Sequence, residues 1–198
     1  EDGEKAARLL VESVAKRIPG TFGLDPVRDV QVLVPTHRGP LGAQALNLAL
    51  QAALNPDGER GRRGVAVGDK VMQHKNDYDL DVWNGDVGTV LRVDEKTITA
   101  LIDGREVVYT GAAVDNLSLA YAATVHKSQG SEYDAVVIGL HTSHYVLLNR
   151  ALIYTAITRA KRLVVIVGNE RALKLAVSDT KQKERYGALR ERLKEALG

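Results

Sequence analysis

The chain has 198 residues, a formal net charge of +2, 44% hydrophobic and 26% charged residues, and no cysteine. This is a globular composition, sufficient for one substantial core with a small inserted module, and it excludes disulfides and thiolate metal sites. No apolar run reaches bilayer length, and the charged start Glu1-Asp2-Gly3-Glu4-Lys5 has no apolar segment behind it, so a cytoplasmic protein with no secretory signal and no membrane partner is expected.

The first residue is not Met and reads as a fragment boundary. Ala7, Leu10, Val11, Val14 and Ile18 recur at helical spacing, which predicts an amphipathic helix over 4–18, ended by Pro19-Gly20. Val30-Gln31-Val32-Leu33-Val34 is too short for a helix and suits a buried parallel strand stopping at Pro35. A loop over 36–42 leads into a helix over 41–53, giving one strand–loop–helix unit. Residues 55–64, with Asn-Pro-Asp-Gly and a basic, Gly-rich stretch, break the composition. Beyond them the period becomes that of short strands. Val87–Val93, Thr97–Ile102 and 106–109 are separated by the turns Asp94-Glu95-Lys96 and Asp103-Gly104, which predicts a meander in a small barrel of about five strands. The α/β pattern then resumes: strands over 118–122 and 135–140 with a helix-like stretch between, a helix over 147–159, a strand over 163–167, and helices over 170–177 and 184–197. The expected organisation is a discontinuous α/β domain, 1–63 and 118–198, interrupted by an all-β module, 64–117.

Chemistry concentrates in two segments. Thr124–Glu132 has seven polar residues in nine positions directly after a strand, which favours function over a generic helix start capped by Ser128 or Ser131. Thr124 and His126 can donate to phosphate oxygens, Lys127 supplies charge, and Gly130 lets backbone approach a ligand. Gln129 and Glu132 lie beyond that glycine, where they can face a different ligand. In the second segment, 152–161, Thr155, Thr158 and Arg159 crowd the end of an apolar helix. Arg159 is either a cation complementing the helix dipole or an arginine finger for phosphoryl transfer.

The wording Thr-Val-His-Lys-Ser-Gln-Gly-Ser-Glu, followed by Tyr-Thr-Ala-Ile-Thr-Arg-Ala-Lys, resembles motifs V and VI of superfamily 1 DNA helicases, in the RecD-like branch. The stretches 31–47 and 68–88 agree, and the resemblance covers about residues 28 to 178. It implies a RecA-like parallel-sheet domain, the second of two, carrying an SH3-like insert, with ATP between the domains and 5′→3′ movement on single-stranded DNA. By position it implies that Arg159 meets the γ-phosphate, that Gln129, Gly130 and Glu132 lie near the nucleotide, and that Thr124, His126 and Lys127 hold the DNA backbone. Arg38 is placed where a motif IV arginine reaches phosphate, while Thr36 and His37 suit a DNA phosphate. Asn76, Tyr78 and Asn84 are assigned to the strand, and Trp83 is either a stacking platform or core.

The chain has no Gly-Lys pair and so no Walker A loop of its own. Its one Asp-Glu after an apolar strand, at Asp94-Glu95, reads as a hairpin turn rather than a magnesium site. ATP and Mg²⁺ are therefore expected to be held mainly by an absent N-terminal motor domain, with no metal bound by this chain. The alternatives are a standalone DNA- or partner-binding module, a Pif1-like helicase fragment and a superfamily 1 RNA helicase; partner subunits of a nuclease complex are left open.

Overall fold

The structure, a computed structural model, describes residues 2–179 and Ala196. The first helix, α1 (Asp2–Glu12), does not stop at Pro19-Gly20 as the sequence suggested. It widens through one π-turn, Ser13–Arg17, and continues as α2 (Ile18–Phe22). Proline has no N–H and its ring crowds the preceding turn; the wider turn, with Ile18 N–H donating to Ser13 O, gives that ring room.

Strand β1 (Val30–Val34) is buried at all five positions, as its run of four aliphatic residues around Gln31 suggests. Helix α3 (Ala43–Leu54) follows it. The next strands are β2 (Lys70–Gln73), β3 (Val87–Val93), β4 (Thr97–Ile102), β5 (Arg105–Thr110) and β6 (Leu117–Leu119), forming one antiparallel sheet in the order β5-β4-β3-β2-β6. The β4–β5 turn is Asp103-Gly104, both at positive φ (48° and 76°), the two-residue geometry that matches strand twist. At the β3–β4 turn, Asp94 N–H donates to Thr97 O, so Asp94-Glu95 is a hairpin turn. Tyr109, Ile98, Ile102, Val71 and Leu117 fill this module's own core.

Strand β7 (Ala122–Thr124), strand β8 (Tyr133–Leu140), helix α4 (Arg150–Ile157), strand β9 (Ala160–Gly168) and helix α5 (Glu170–Ser178) complete the described chain. The second sheet is wholly parallel, ordered β7-β1-β8-β9. Alternate residues point to opposite faces: Val30, Val32 and Val34 pack with α1 and α3, whereas Leu33, Val136 and Ile138 pack with α4 and α5.

Several expectations need correction. Residues 118–122 are not one strand: Leu117–Leu119 pairs antiparallel with β2 and Ala122–Thr124 pairs parallel with β1, so the chain changes sheets at Ala120-Tyr121. No α-helix lies between β7 and β8. One 3-10 turn, Val125–Ser128, replaces it, and the buried Ser128 hydroxyl donates to Val125 O instead of capping a helix. Helix α4 is shorter than 147–159 because Asn149 caps it through Leu152 N–H and β9 already starts at Ala160. The helix expected over 184–197 lies outside the described residues, Ala196 apart.

The crossing from β7 to β8 is geometrically demanding. Thr124 is level with Val34, while Ala135 is level with Val30. The eight residues 125–132 therefore return the chain across about 20 Å, at ~3.3 Å per strand residue, from one end of the sheet to the other.

Buried polar contacts join the two sheets. Asp69 is fully buried, and its carboxylate accepts from Gln51 and Asn55 of α3, from the Tyr121 hydroxyl and from Ala66 N–H. Gln31, buried in β1, donates to Ala120 O and Tyr121 O where the chain changes sheets. Lys70 reaches from β2 to Val30 O at 2.9 Å, with its ammonium 5.5 Å from the centre of the Tyr133 ring. Asn47 of α3 takes both the N–H and the C=O of Ala122, closing the outer edge of β7.

Two predictions follow from these contacts. Asp69→Ala strands four donors in the interior and should cost about 2–4 kcal/mol in chemical denaturation, against about 1 kcal/mol for Tyr121→Phe. Burial lowers the Lys70 pKa to about 8, against the opposing pull of Asp25 and Asp29. Between that value and ~10.4 the unfolded chain binds more protons than the native one, so stability from this group rises with pH. Denaturation midpoints measured from pH 8 to 10 should show this rise in the wild type relative to Lys70→Met.

Candidate functional site

The C-terminal ends of β1 and β7 present the first group of predicted residues. Thr36 Oγ1 donates to Arg38 O at 2.9 Å, folding the loop back, and Thr36 O and His37 O accept the Ala43 and Gln44 amides at the start of α3. The loop's carbonyls thus satisfy the helix start, leaving the His37 and Arg38 side chains exposed. On the neighbouring turn Val125 and Ser128 are buried, which turns His126 and Lys127 outward.

A small, shallow cleft opens between this end of the parallel sheet and the inserted sheet, and His37, Thr124, Lys127, Asn47, His74 and Ser118 contribute to its lining. No carboxylate lines it. The structure therefore brings His37 to Thr124 and Lys127, which are distant from it in sequence, and adds three residues that sequence reasoning missed. Lys127 Nζ lies 2.9 Å from His74 Nδ1, and His74 Nε2 contacts Ser118 Oγ. Burial pushes the His74 pKa down to about 4, with the charges of Lys127, His37 and Arg63 adding to the effect. Burial also lowers the pKa of Lys127. The rest of the lining is apolar (Ala43, Met72, Leu119, Ala120, Ala122 and Ala123), so the polar groups gather on one side of the cleft's surface with no carboxylate among them.

Asn76, Tyr78 and Asn84 are not in that lining. Asn76 Oδ1 accepts from Asn84 N–H at 2.9 Å, at the base of a hairpin pinned by the Asp77–Val82 bridge. Tyr78 and Trp83 stand on this hairpin 77% and 44% exposed, edge to face at 5.4 Å. Core packing of Trp83 is thereby overturned: it stands at the surface, partly covered, with Tyr78 against it edge-on.

The second group sits at the opposite, N-terminal end of the sheet. Arg159 directly precedes β9 and is half-buried. Its Nε donates to Thr155 O, Nη1 to Ser131 O and Nη2 to Thr158 Oγ1, at 3.3, 3.2 and 3.4 Å. Its carbonyl accepts from Tyr133 N–H. Burial raises the Tyr133 hydroxyl pKa, opposed by Ser131 and by the Arg159 charge. Gln129, Gly130 and Glu132 are exposed beside it, with Glu132 3.9 Å from Lys161. Gly130 has a φ of +91°, which disfavours any side chain, yet the space a Cβ would enter is open.

Arg38 does not join this group. It follows the C-terminal end of β1, whereas Tyr133 pairs with Ala160 at the N-terminal ends of their strands. Arg38 and Arg159 are thus at opposite ends of one sheet, and Arg38 shares the loop after β1 with Thr36 and His37.

At the cleft end His37 and Lys127 are exposed cationic or titratable side chains on neighbouring loops. At the other end the Arg159 guanidinium, held by three hydrogen bonds, stands next to an open-faced glycine. The chain has no Gly-Lys phosphate cradle. Among the described residues no group of three or more His, Asp or Glu side chains is placed to hold a metal ion. No helix among them is long and apolar enough to cross a membrane.

Residues 119–167 match the UvrD-like helicase C-terminal domain, and residues 46–103 match the SH3 domain of ATP-dependent RecD-like DNA helicases. The chain is 45% identical over 170 residues to the ATP-dependent RecD2 DNA helicase of Deinococcus radiodurans, covering 83% of this chain and 23% of that protein. It is 36% identical over 204 residues to the RecBCD enzyme subunit RecD of Mycolicibacterium smegmatis, covering 99% of this chain and 36% of that one. The chain thus spans between a quarter and a third, approximately, of these relatives' length. Among solved structures, Bacteroides Pif1 helicase in complex with ADP-AlF3 and ssDNA shares the fold at a TM-score of 0.55 and 20% identity, over 94% of this chain and 48% of that one. Candida albicans Pif1 does so at 0.54 and 16%, over 98% and 58%.

Proposed function

We propose that this chain, which belongs to the RecD-like helicases by the two domains it carries, is the segment of an ATP-dependent 5′→3′ DNA helicase that grips single-stranded DNA and completes the ATP site from one side. In this reading residues 1–63 and 118–198 are the second RecA-like motor domain and 64–117 its SH3-like insert, with sheet pairing extending the insert to Leu119. The observation that carries the reading is the single segment Thr124–Glu132, which begins in a basic cleft and ends beside Arg159. DNA at the first end and nucleotide at the second are then joined by one crossing of the sheet.

His37, Thr124 and Lys127 in the cleft, with Thr36, Arg38 and His126 on the same two loops, hold backbone phosphates through hydroxyl, imidazole and cationic donors. Tyr78 and Trp83 offer exposed ring faces to unstacked bases. At the other end Arg159 neutralises charge that develops on the transferred phosphoryl group, and Gln129, Gly130 and Glu132 line its approach. ATP supplies the free energy. The phosphate loop and the magnesium ligands come from a first motor domain of the same polypeptide, and the reaction takes place in the cytoplasm.

This reading predicts that effects separate by end. The 198-residue chain alone should turn over no measurable ATP. In the full-length protein Arg159→Ala should lower ATP turnover on the order of 10³-fold with single-strand affinity nearly intact. His126→Ala should weaken strand binding more than it lowers basal hydrolysis. Lys127→Ala should weaken oligo-dT binding and reduce the slope of log affinity against log salt by about 0.7, the value for one phosphate contact on a single strand. Equal losses of binding and turnover in all three variants would contradict the assignment.

A further inference from the structure

A lysine on a surface turn is normally mobile, because its long side chain keeps up to roughly 2 kcal/mol of rotamer entropy when free. Lys127 is held instead. Its ammonium is 2.9 Å from Nδ1 of His74, a residue of the inserted sheet 53 positions away. An ammonium can only donate, so His74 Nδ1 must be the lone-pair nitrogen and the proton must sit on Nε2. The surroundings support this tautomer: Nε2 meets Ser118 Oγ, and that hydroxyl donates onward to Leu119 O at 3.3 Å. The three bonds run in one direction, from ammonium to imidazole to hydroxyl to carbonyl. His74 is itself anchored by its amide on Asn116 O. The charged or titratable groups acting on His74 are Lys127, His37 and Arg63, all basic, so no carboxylate competes for the ammonium.

We propose that His74 is a positioning residue: through the Ser118-fixed tautomer it holds the Lys127 ammonium at the mouth of the cleft, and so sets the phosphate-facing turn against the inserted sheet. This rests on the reading of the cleft as a strand-binding site. His74 need not touch DNA to affect binding. It removes the freedom of the cation that does, and neutrality lets it do so without adding charge. His74→Ala frees Lys127. His74→Asn places an amide oxygen near the position of Nδ1 and retains the acceptor.

The test has two arms on the full chain. In the first, fluorescein-labelled oligo-dT is titrated into wild type, His74→Ala, His74→Asn, Lys127→Ala and the His74→Ala/Lys127→Ala double variant. The expected result is a three- to tenfold weaker affinity for His74→Ala, recovery to within about twofold for His74→Asn, and a double variant no weaker than Lys127→Ala alone. Independent, multiplying losses, or an unchanged affinity in His74→Ala, overturn the proposal. In the second arm, nitrogen-15 histidine spectra should show His74 as the Nε2–H tautomer at neutral pH, with its titration midpoint moving up in Lys127→Ala. The opposite tautomer, or a midpoint indifferent to Lys127, overturns it without any DNA present. If wild type binds no oligo-dT, the strand-binding reading fails, and the spectra alone still decide the His74–Lys127 link.

Discussion

The fold depends on one constraint of connectivity. Strands β7 and β8 run parallel on either side of β1, so the chain that leaves the end of one must travel the length of the sheet to begin the other. Most parallel connections use a helix for this return. Here eight residues and a single 3-10 turn make it. A segment so short must stay close to the sheet, so Val125 and Ser128 are buried while His126, Lys127, Gln129 and Gly130 face outward. The polar density of this segment follows from that path. It exposes side chains at both ends of the sheet, in the cleft beside the insert and beside Arg159.

The inserted sheet is fixed to the parallel sheet by buried polar groups as well as by apolar contacts of Met72, Val87 and Leu119. Asp69 collects four donors from α3, Tyr121 and its own loop. Lys70 and Gln31 bond to backbone where the chain passes between sheets. Such groups cost much when unpaired and have directional requirements, so they favour one docking geometry over others that bury similar area. A cleft whose two walls come from different sheets needs that definition. His74 and Ser118 on one wall meet Lys127 on the other only if the sheets keep their spacing.

Much of this was legible in the sequence where local rules act alone. Val87–Val93 and Thr97–Ile102 were bounded correctly because alternation and turn pairs fix both ends, and Val30–Val34 because a five-residue run, apolar but for Gln31, cannot form a helix of useful length. Errors arose where a partner decides. Leu117–Leu119 and Ala122–Thr124 look like one strand until different neighbours divide them. Pro19 normally ends a helix, but a π-turn ahead of it changed the outcome. The candidate sites divide in the same way. Thr124, His37 and Lys127 were found by residue type and are brought to one cleft. His74 carried no local signal, since its partners are 44 and 53 residues distant. That Arg38 and Arg159 lie at opposite ends of one sheet was not legible, because a sequence does not show how strands are ordered.

The central claim is that residues 125–132 connect a strand-binding end to a nucleotide-facing end. Gly130 is the point at which to test it, since its φ of +91° is strained for alanine while the space beside it is free. The measurement is single-strand-stimulated ATP hydrolysis by the full-length Gly130→Ala protein, alongside its affinity for the same oligo-dT. The account predicts affinity within about twofold of wild type and stimulation reduced roughly tenfold, the scale of a coupling free energy of about 1–2 kcal/mol. Full stimulation with unchanged affinity would contradict it.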